Sequence, residues 1–478
     1  MLFDGHADLQ AGFGLQLPYS LRTTAEGGVE VDAGELARLA AQCLSAIHGQ
    51  MREAGRQASA VACCTFWHSF LGVDEDGLPT TPIIHLFDTR SGRQVRRLAE
   101  TLDPVAVHAR TGCVLHTSYW PAKLLWLAEN DPRAVGRTRQ WRSFGEFFFE
   151  RLFGRALTST SMVSASGIWN SNIGDYDDPT LAALPIERKQ LARPAELDEP
   201  ARGLRGDYQR QWPEFASIPW FPAIGDGAAN NIGSGCTTPR RFSLMVGTSG
   251  AMRAVVESAH IEPLPGLWCY RVDRRRWVVG GALSNGGEVF AWMNRTLSLP
   301  SSEETERALG EEAPGSHGLT VVPLFAGERS TGWRPEARAA IAGMSLHTRS
   351  IDILRAALES VALRFREIYE IMAVRMGAPD QLIASGGGLL HSPAWTQMMA
   401  DALGRTVVTC LEPEATARGS ALLAIERLGA ISNIDDLPAR TGRVFEPNPT
   451  HRKTYEALLE RQRALYRKLF EDQGACRG

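Results

Sequence analysis

The 478-residue sequence lacks several features that would narrow its role at once. Its eight cysteines, at 43, 63, 64, 113, 236, 269, 410 and 476, form no C-x-x-C pair and no tight Cys/His cluster. That argues against structural zinc and reads as a reduced, cytoplasmic chain. No long hydrophobic run is present either. The uncharged stretch from Gln381 to Ala400 is interrupted by Gly, Ser, Gln and Thr, which a lone membrane-spanning helix would not carry, so no membrane association is expected. The first residues, Met1-Leu2-Phe3-Asp4-Gly5-His6, have neither the basic nor the apolar segment of a secretory signal. Charge of one sign is not in excess: 51 basic and 54 acidic side chains leave a net charge of −3. That balance is too even for a broad phosphate-binding surface, so nucleic acid is not an expected partner. Neither a fixed-period repeat nor a low-complexity tract occurs, which excludes a solenoid.

Familiar motifs are missing too. There is no Gly-Lys dipeptide, which removes the G-x-x-x-x-G-K-[ST] phosphate loop, and no H-E-x-x-H for a zinc protease. Gly225-Asp226-Gly227 and Gly386-Gly387-Gly388 both fail G-x-G-x-x-G, at Asn230 and His391. Gly247-Thr248-Ser249-Gly250-Ala251 misses the G-x-S-x-G nucleophile elbow at Ala251, which disfavours a serine hydrolase.

What is present is an α/β pattern in a chain long enough for two domains. Helical periodicity alternates with short apolar runs bounded by glycine. Val61 to Phe66 reads as a strand ending in Trp67-His68-Ser69, and Thr81 to Phe87 as another ending in Asp88-Thr89-Arg90. Leu354, Leu358, Val361, Phe365, Ile368 and Met372 predict a helix over 351–376 with one buried face, stopped by Gly377 and Pro379. A closing helix is expected over Tyr455 to Phe470. The break at Cys236 to Arg241 divides the chain into 1–238 and 239–478.

Three glycine-rich turns, each after an apolar run, carry the chemistry. In Gly225-Asp226-Gly227 the small neighbours leave one carboxylate open to a ligand that approaches the backbone closely, in an exposed turn, where it can serve as general base toward a hydroxyl. Gly247-Thr248-Ser249-Gly250 offers amides and hydroxyls to phosphate oxygens. Ser385-Gly386-Gly387-Gly388, before the helical run Ala394 to Leu403, offers a surface for a flat base. Any one of these could be an ordinary tight turn. Together, in a two-domain α/β chain, they favour nucleotide chemistry.

These residues resemble the FGGY carbohydrate kinase family over nearly the whole length. The most specific match runs from Ala339-Ala340-Ile341-Ala342-Gly343-Met344 to Asp352-Ile353-Leu354-Arg355-Ala356-Ala357-Leu358-Glu359, the family's C-terminal signature. Gly327-Glu328-Arg329-Ser330, Tyr119 to Leu127 and the three turns fall in the family's order. The resemblance implies two ribonuclease-H-like domains of the actin and hexokinase type, closing on a cleft where ATP, with Mg²⁺, meets a small sugar, sugar acid or polyol. It implies Asp226 as base, Gly247, Thr248 and Ser249 as a phosphate loop, and Gly386, Gly387 and Gln397 as the adenosine pocket. Trp67, His68, Asp88 and Arg90 match sugar-side positions, although Arg90 suits an internal ion pair and His68 a core position as well. No metal ligands are assigned, and a homodimer is the default assembly. Gluconate is the first substrate expected and a ketose such as xylulose the second. Family members open with a strand and a D-x-G-T turn that precede the Phe3-Asp4 position. The reading therefore expects either that this first phosphate loop lies upstream or that the protein is a catalytically weak, sugar-binding regulator.

Overall fold

The structure is a computed structural model and describes residues 1–471. Its second half is organised by one seven-stranded sheet. The strand order is Trp268–Arg271, Arg276–Leu283, Gly250–Glu257, Arg241–Val246, Gln381–Ser385, Val407–Cys410 and Thr441–Phe445. Arg241–Val246, Gln381–Ser385 and Val407–Cys410 run parallel and the outer pairings are antiparallel. Arg276–Leu283 is buried at every residue, as expected of a strand covered on both faces.

The long helix spans Ser350–Met376, one residue beyond the expected start. All six residues of its predicted stripe are fully buried in one cluster with Phe242, Leu244 and Val279 of the sheet. Burying a side chain of this size contributes roughly 1.5–3 kcal/mol, so this face alone commits the helix to the sheet. Gly377, at φ +77°, ends it. The closing helix is Arg452–Phe470 and buries Tyr455, Leu458, Leu459 and Gln462.

Strands of the first half are shorter than the apolar runs that announce them. Within Val61 to Phe66 only Cys64–Thr65 is a strand, parallel to Ile224–Gly225, with a separate bridge from Val61 to Trp220. The extended run stops because His68 takes φ +65°, which no strand residue adopts. Within Thr81 to Phe87 only Ile83–Ile84 pairs, beside Val29–Val31 and then Arg22–Thr23. Pro82 has no N–H to extend the ladder. At the chain start Phe3 bridges Leu9, while the Asp4 carboxylate accepts from the amides of His6 and Asp8.

The halves join through two helices, Asp226–Gly233 and Ala415–Arg427. A Cβ on Gly233 would stand 1.7 Å from the Ala415 carbonyl oxygen, and one on Gly419 1.9 Å from that of Ala229. The contact is main chain against main chain, which only glycine permits. Among the described residues no helix is long and apolar enough to cross a membrane.

Candidate active site

A cavity of about 700 Å³ is lined by Asp226 and Asn230 of the first half and by Arg253, Gly386, Gly387 and Leu411 of the second. Asp226 follows the strand Ile224–Gly225 and opens the helix Asp226–Gly233, where the helix dipole favours a carboxylate. The expected exposed turn is therefore corrected: Asp226 is a half-buried helix-start residue. Its Oδ1 accepts from the Gly227 N–H at 2.9 Å and faces the Trp67 N–H at 3.4 Å. Burial pushes its carboxyl above the ordinary aspartate range, and the Arg253 charge opposes that shift only in part.

The reason for the flanking glycines is also corrected. A Cβ on Gly225 would meet Trp67 Nε1 at 1.8 Å, and one on Gly227 would meet Trp67 Cζ3 at 2.4 Å. What lies against this backbone is the Trp67 indole, itself tied by Nε1 to the Ser161 carbonyl at 2.9 Å, not a ligand. The glycines thus bring a rigid aromatic plane up to the carboxylate.

On the opposite wall, Gly386 takes φ +85°, and its Cα packs so tightly that a Cβ would stand 2.4 Å from the Val246 carbonyl. Gly387 leaves room toward the cavity, a Cβ there meeting nothing closer than the His391 ring at 3.4 Å. Gly247, Thr248 and Ser249 form the turn after Arg241–Val246. The Gly247 amide is turned inward onto the Ser249 carbonyl at 3.0 Å, while the Thr248 side chain is exposed. Gln397 is not brought to the cavity wall. Its Nε2 donates to Asp401 and to the Glu446 carbonyl, each at 2.8 Å.

Beside Asp226, aromatic rings from both halves form a box. His68 lies edge-on to Tyr119 and Tyr270, at 5.0 and 5.5 Å between centroids, and Tyr270 stacks on Trp268 at 4.5 Å. The Tyr119 and Tyr270 hydroxyls meet at 2.6 Å. His68 Nδ1 contacts the Ala165 carbonyl at 2.6 Å, so it carries the proton and Nε2 is the acceptor. His116 has the opposite tautomer: its Nδ1 accepts from the Ser118 amide at 3.1 Å, leaving a buried Nε2–H with no partner among the described residues. Burial pushes both rings down to about 3, which keeps them neutral. One free acceptor and one free donor are the complement of a hydroxyl group.

These features coincide with one family. The N-terminal domain of the FGGY family of carbohydrate kinases matches residues 2–233, and its C-terminal domain matches 242–426. The chain belongs to the FGGY family of carbohydrate kinases. It is therefore a phosphotransferase with the two-domain FGGY fold. A gluconokinase of Bacillus subtilis (strain 168) is 26% identical over 418 residues, covering 84% of this chain and 81% of that protein. Two crystal structures from Lactobacillus acidophilus, each 24% identical, share the fold. A xylulose kinase superposes with a TM-score of 0.90 over 99% of this chain and 96% of its own, and a gluconate kinase with 0.88 over 96% and 93%.

In this FGGY kinase, Asp88 and Arg90 are engaged inside the protein. Arg90 donates to Asp88 at 2.6 Å and Glu30 at 2.7 Å and lies 4.0 Å over the Trp126 ring. The Asp88 carboxylate also accepts from the Val29 amide at 3.0 Å and is 1% exposed. Arg90 fits the internal ion pair, the alternative its sequence left open. The site also holds residues that sequence reasoning left unassigned: Arg253, His116, Tyr119, Tyr270 and Arg329. Arg253 had a signal, being the one charge within the apolar run Ala251 to Val256 of its strand.

Proposed function

We propose that this kinase transfers the γ-phosphoryl group of ATP to a hydroxyl of a small sugar acid, with gluconate the first candidate. The observation that carries the reading is the Asp226 carboxylate, exposed to one cavity with Gly386 and Gly387 and flanked by the His68 box. The acceptor oxygen forms a bond to the γ-phosphorus, the bond from that phosphorus to the β–γ bridging oxygen breaks, and Asp226 takes the hydroxyl proton. A carboxyl raised by burial is the better base for that step. His68 Nε2 and His116 Nε2–H orient the acceptor's hydroxyls, and Trp67 supports both the acceptor and Asp226. Positioning of this kind accounts for most of phosphoryl-transfer catalysis. In this reading residues 1–238 supply the base and most of the acceptor pocket, and 239–478 the nucleotide wall, including Gly247, Thr248 and Ser249.

An acidic acceptor is favoured by charge. Arg329 lies within electrostatic reach of His68 and His116, and among the described residues it forms no ion pair, whereas the buried Lys123 is lowered to about 7 and is held by the His85 and Ser118 carbonyls. The gluconokinase likeness agrees with that preference. Xylulose or another ketose is the second reading, favoured by the neutral hydroxyl-binding pair of histidines. Mg²⁺ is the expected companion of ATP and offsets triphosphate charge when bound. Among the described residues no three His, Cys, Asp or Glu side chains converge as a metal site. Of the three carboxylates that line the cavity, Glu412 is paired with Arg440 and Glu414 accepts from Gln16, which leaves Asp226 to meet an ion held mainly by phosphate oxygens.

The test is ADP release measured over gluconate, other aldonates, xylulose and glycerol. Turnover with an aldonate supports the reading, turnover confined to ketoses moves the substrate to the second one, and saturable sugar binding without any turnover identifies a regulator.

A further inference from the structure

Arg253 is placed where no structural role accounts for it. It sits in the strand Gly250–Glu257, paired with Gly280 on one side and Ser243 on the other. Gly280 is what admits it, since a Cβ there would come 3.0 Å from Arg253 Cα and 3.1 Å from its Cγ. The guanidinium reaches the cavity wall beside Asp226, Gly386 and Gly387. Its Nε and Nη1 are buried and have no hydrogen-bond partner among the described residues. No carboxylate there pairs with it within 4.0 Å. Asp226 is near enough for its charge to be felt but does not close on it, and Arg329 repels it. Burial lowers Arg253 only to about 10, so it remains a cation. A buried, unpaired guanidinium is costly and is retained where an anion comes to meet it.

We propose that Arg253 is a catalytic residue that holds the phosphoryl group as it passes between the triphosphate and the acceptor hydroxyl. The inference rests on the kinase reading above and assigns one further residue to the same site. The position selects the anion: Arg253 shares its cavity with the nucleotide-side glycines and with Asp226, whereas His68 and His116 do not line that cavity. It therefore lies on the line of transfer and not on the far side of the acceptor. The planar fork suits equatorial phosphoryl oxygens. Standing apart from Asp226, it leaves the base free to accept a proton.

The experiment compares Arg253→Lys and Arg253→Ala with the wild-type chain in the kinase assay, with KM determined separately for ATP and acceptor. Removing one transition-state donor is expected to lower kcat by about 10²–10³-fold with both KM values little changed. Guanidinium ions at millimolar concentration should restore part of the Arg253→Ala rate, and binding of ADP with aluminium fluoride and acceptor should weaken far more than binding of ADP alone. Unchanged kcat overturns the proposal. So does a loss confined to the acceptor's KM, which would make Arg253 a reader of the sugar carboxylate, or a loss with lowered Tm and no chemical rescue, which would make it structural. Absence of wild-type turnover would instead overturn the kinase reading, leaving the aluminium fluoride comparison to judge Arg253.

Discussion

The backbone N–H of Trp67 faces the carboxylate of Asp226 at 3.4 Å, across 159 residues of sequence. The same residue lays its indole along both glycines that flank the acid. In the proposed mechanism the group that receives the proton and the plane that supports the acceptor are thus one packed unit.

Asp226→Asn should lower kcat by about 10²–10⁴-fold, the usual contribution of a general base. The stability effect has the opposite sign. A carboxyl whose folded-state pKa is raised favours folding while protonated, and that advantage is lost as pH rises from the ordinary aspartate value through the raised one. The asparagine variant does not titrate, so its Tm relative to wild type should be higher at pH 7 than at pH 4. Paired activity and melting curves check both signs, and a variant that loses stability more at pH 7 refutes the placement of the charge.

Gly225→Ala puts a methyl group where Trp67 Nε1 now stands. Overpacking of this kind costs about 1–3 kcal/mol, and it should lower kcat at the same time because Trp67 must leave the carboxylate. Combining it with Trp67→Leu should recover stability but not activity. Denaturant unfolding of the single and double variants reads the coupling.

Tyr270→Phe leaves the buried Tyr119 hydroxyl without its partner at 2.6 Å. A buried hydroxyl left unpaired costs about 1–3 kcal/mol, whereas Tyr119→Phe with Tyr270→Phe removes both polar groups and should be nearly neutral. A double-mutant cycle measures this, and additive losses would mean that the two hydroxyls do not depend on each other.

Arg90→Met should destabilise by about 3–5 kcal/mol, since it strands the buried Asp88 charge and leaves Glu30 with Arg22 alone. Were Arg90 instead a contact to the acceptor, unfolding would be unchanged and only the acceptor's KM would rise. Chemical denaturation alongside kinetics separates the two roles.

Much of this architecture is legible in the sequence where local pattern and tertiary packing agree. The stripe from Leu354 to Met372 specifies its helix because a period near 3.6 has one solution, and the sheet it meets supplies a matching apolar face. The glycine turns are equally visible, and so is Asp226. What the sequence conceals is who approaches whom. Gly225 and Gly227 read as room for a ligand, yet a tryptophan from a distant segment occupies that room. Arg90 and Asp88 read as strand-end groups for a sugar, yet Glu30, 60 residues away, completes their ion pair. His68 and His116 become complementary only through the carbonyl of Ala165 and the amide of Ser118, which fix their tautomers. Arg253 is a single charge in an apolar strand, and its importance lies in the partners it does not have.

The close approach of Gly233 and Gly419 decides where the molecule can bend. Two rods touching through their main chains can roll about the line of contact but cannot slide or part without breaking it. Asp226 stands on one of those rods, and Ala415 and Thr416, at the edge of the cavity, stand on the other. Any swing of the lobes is a rotation about an axle beside Asp226, so the outer rims can travel far while that carboxylate, the proton acceptor of the proposed mechanism, stays almost still. A methyl group at either glycine would jam that axle and be felt first in how fast product leaves.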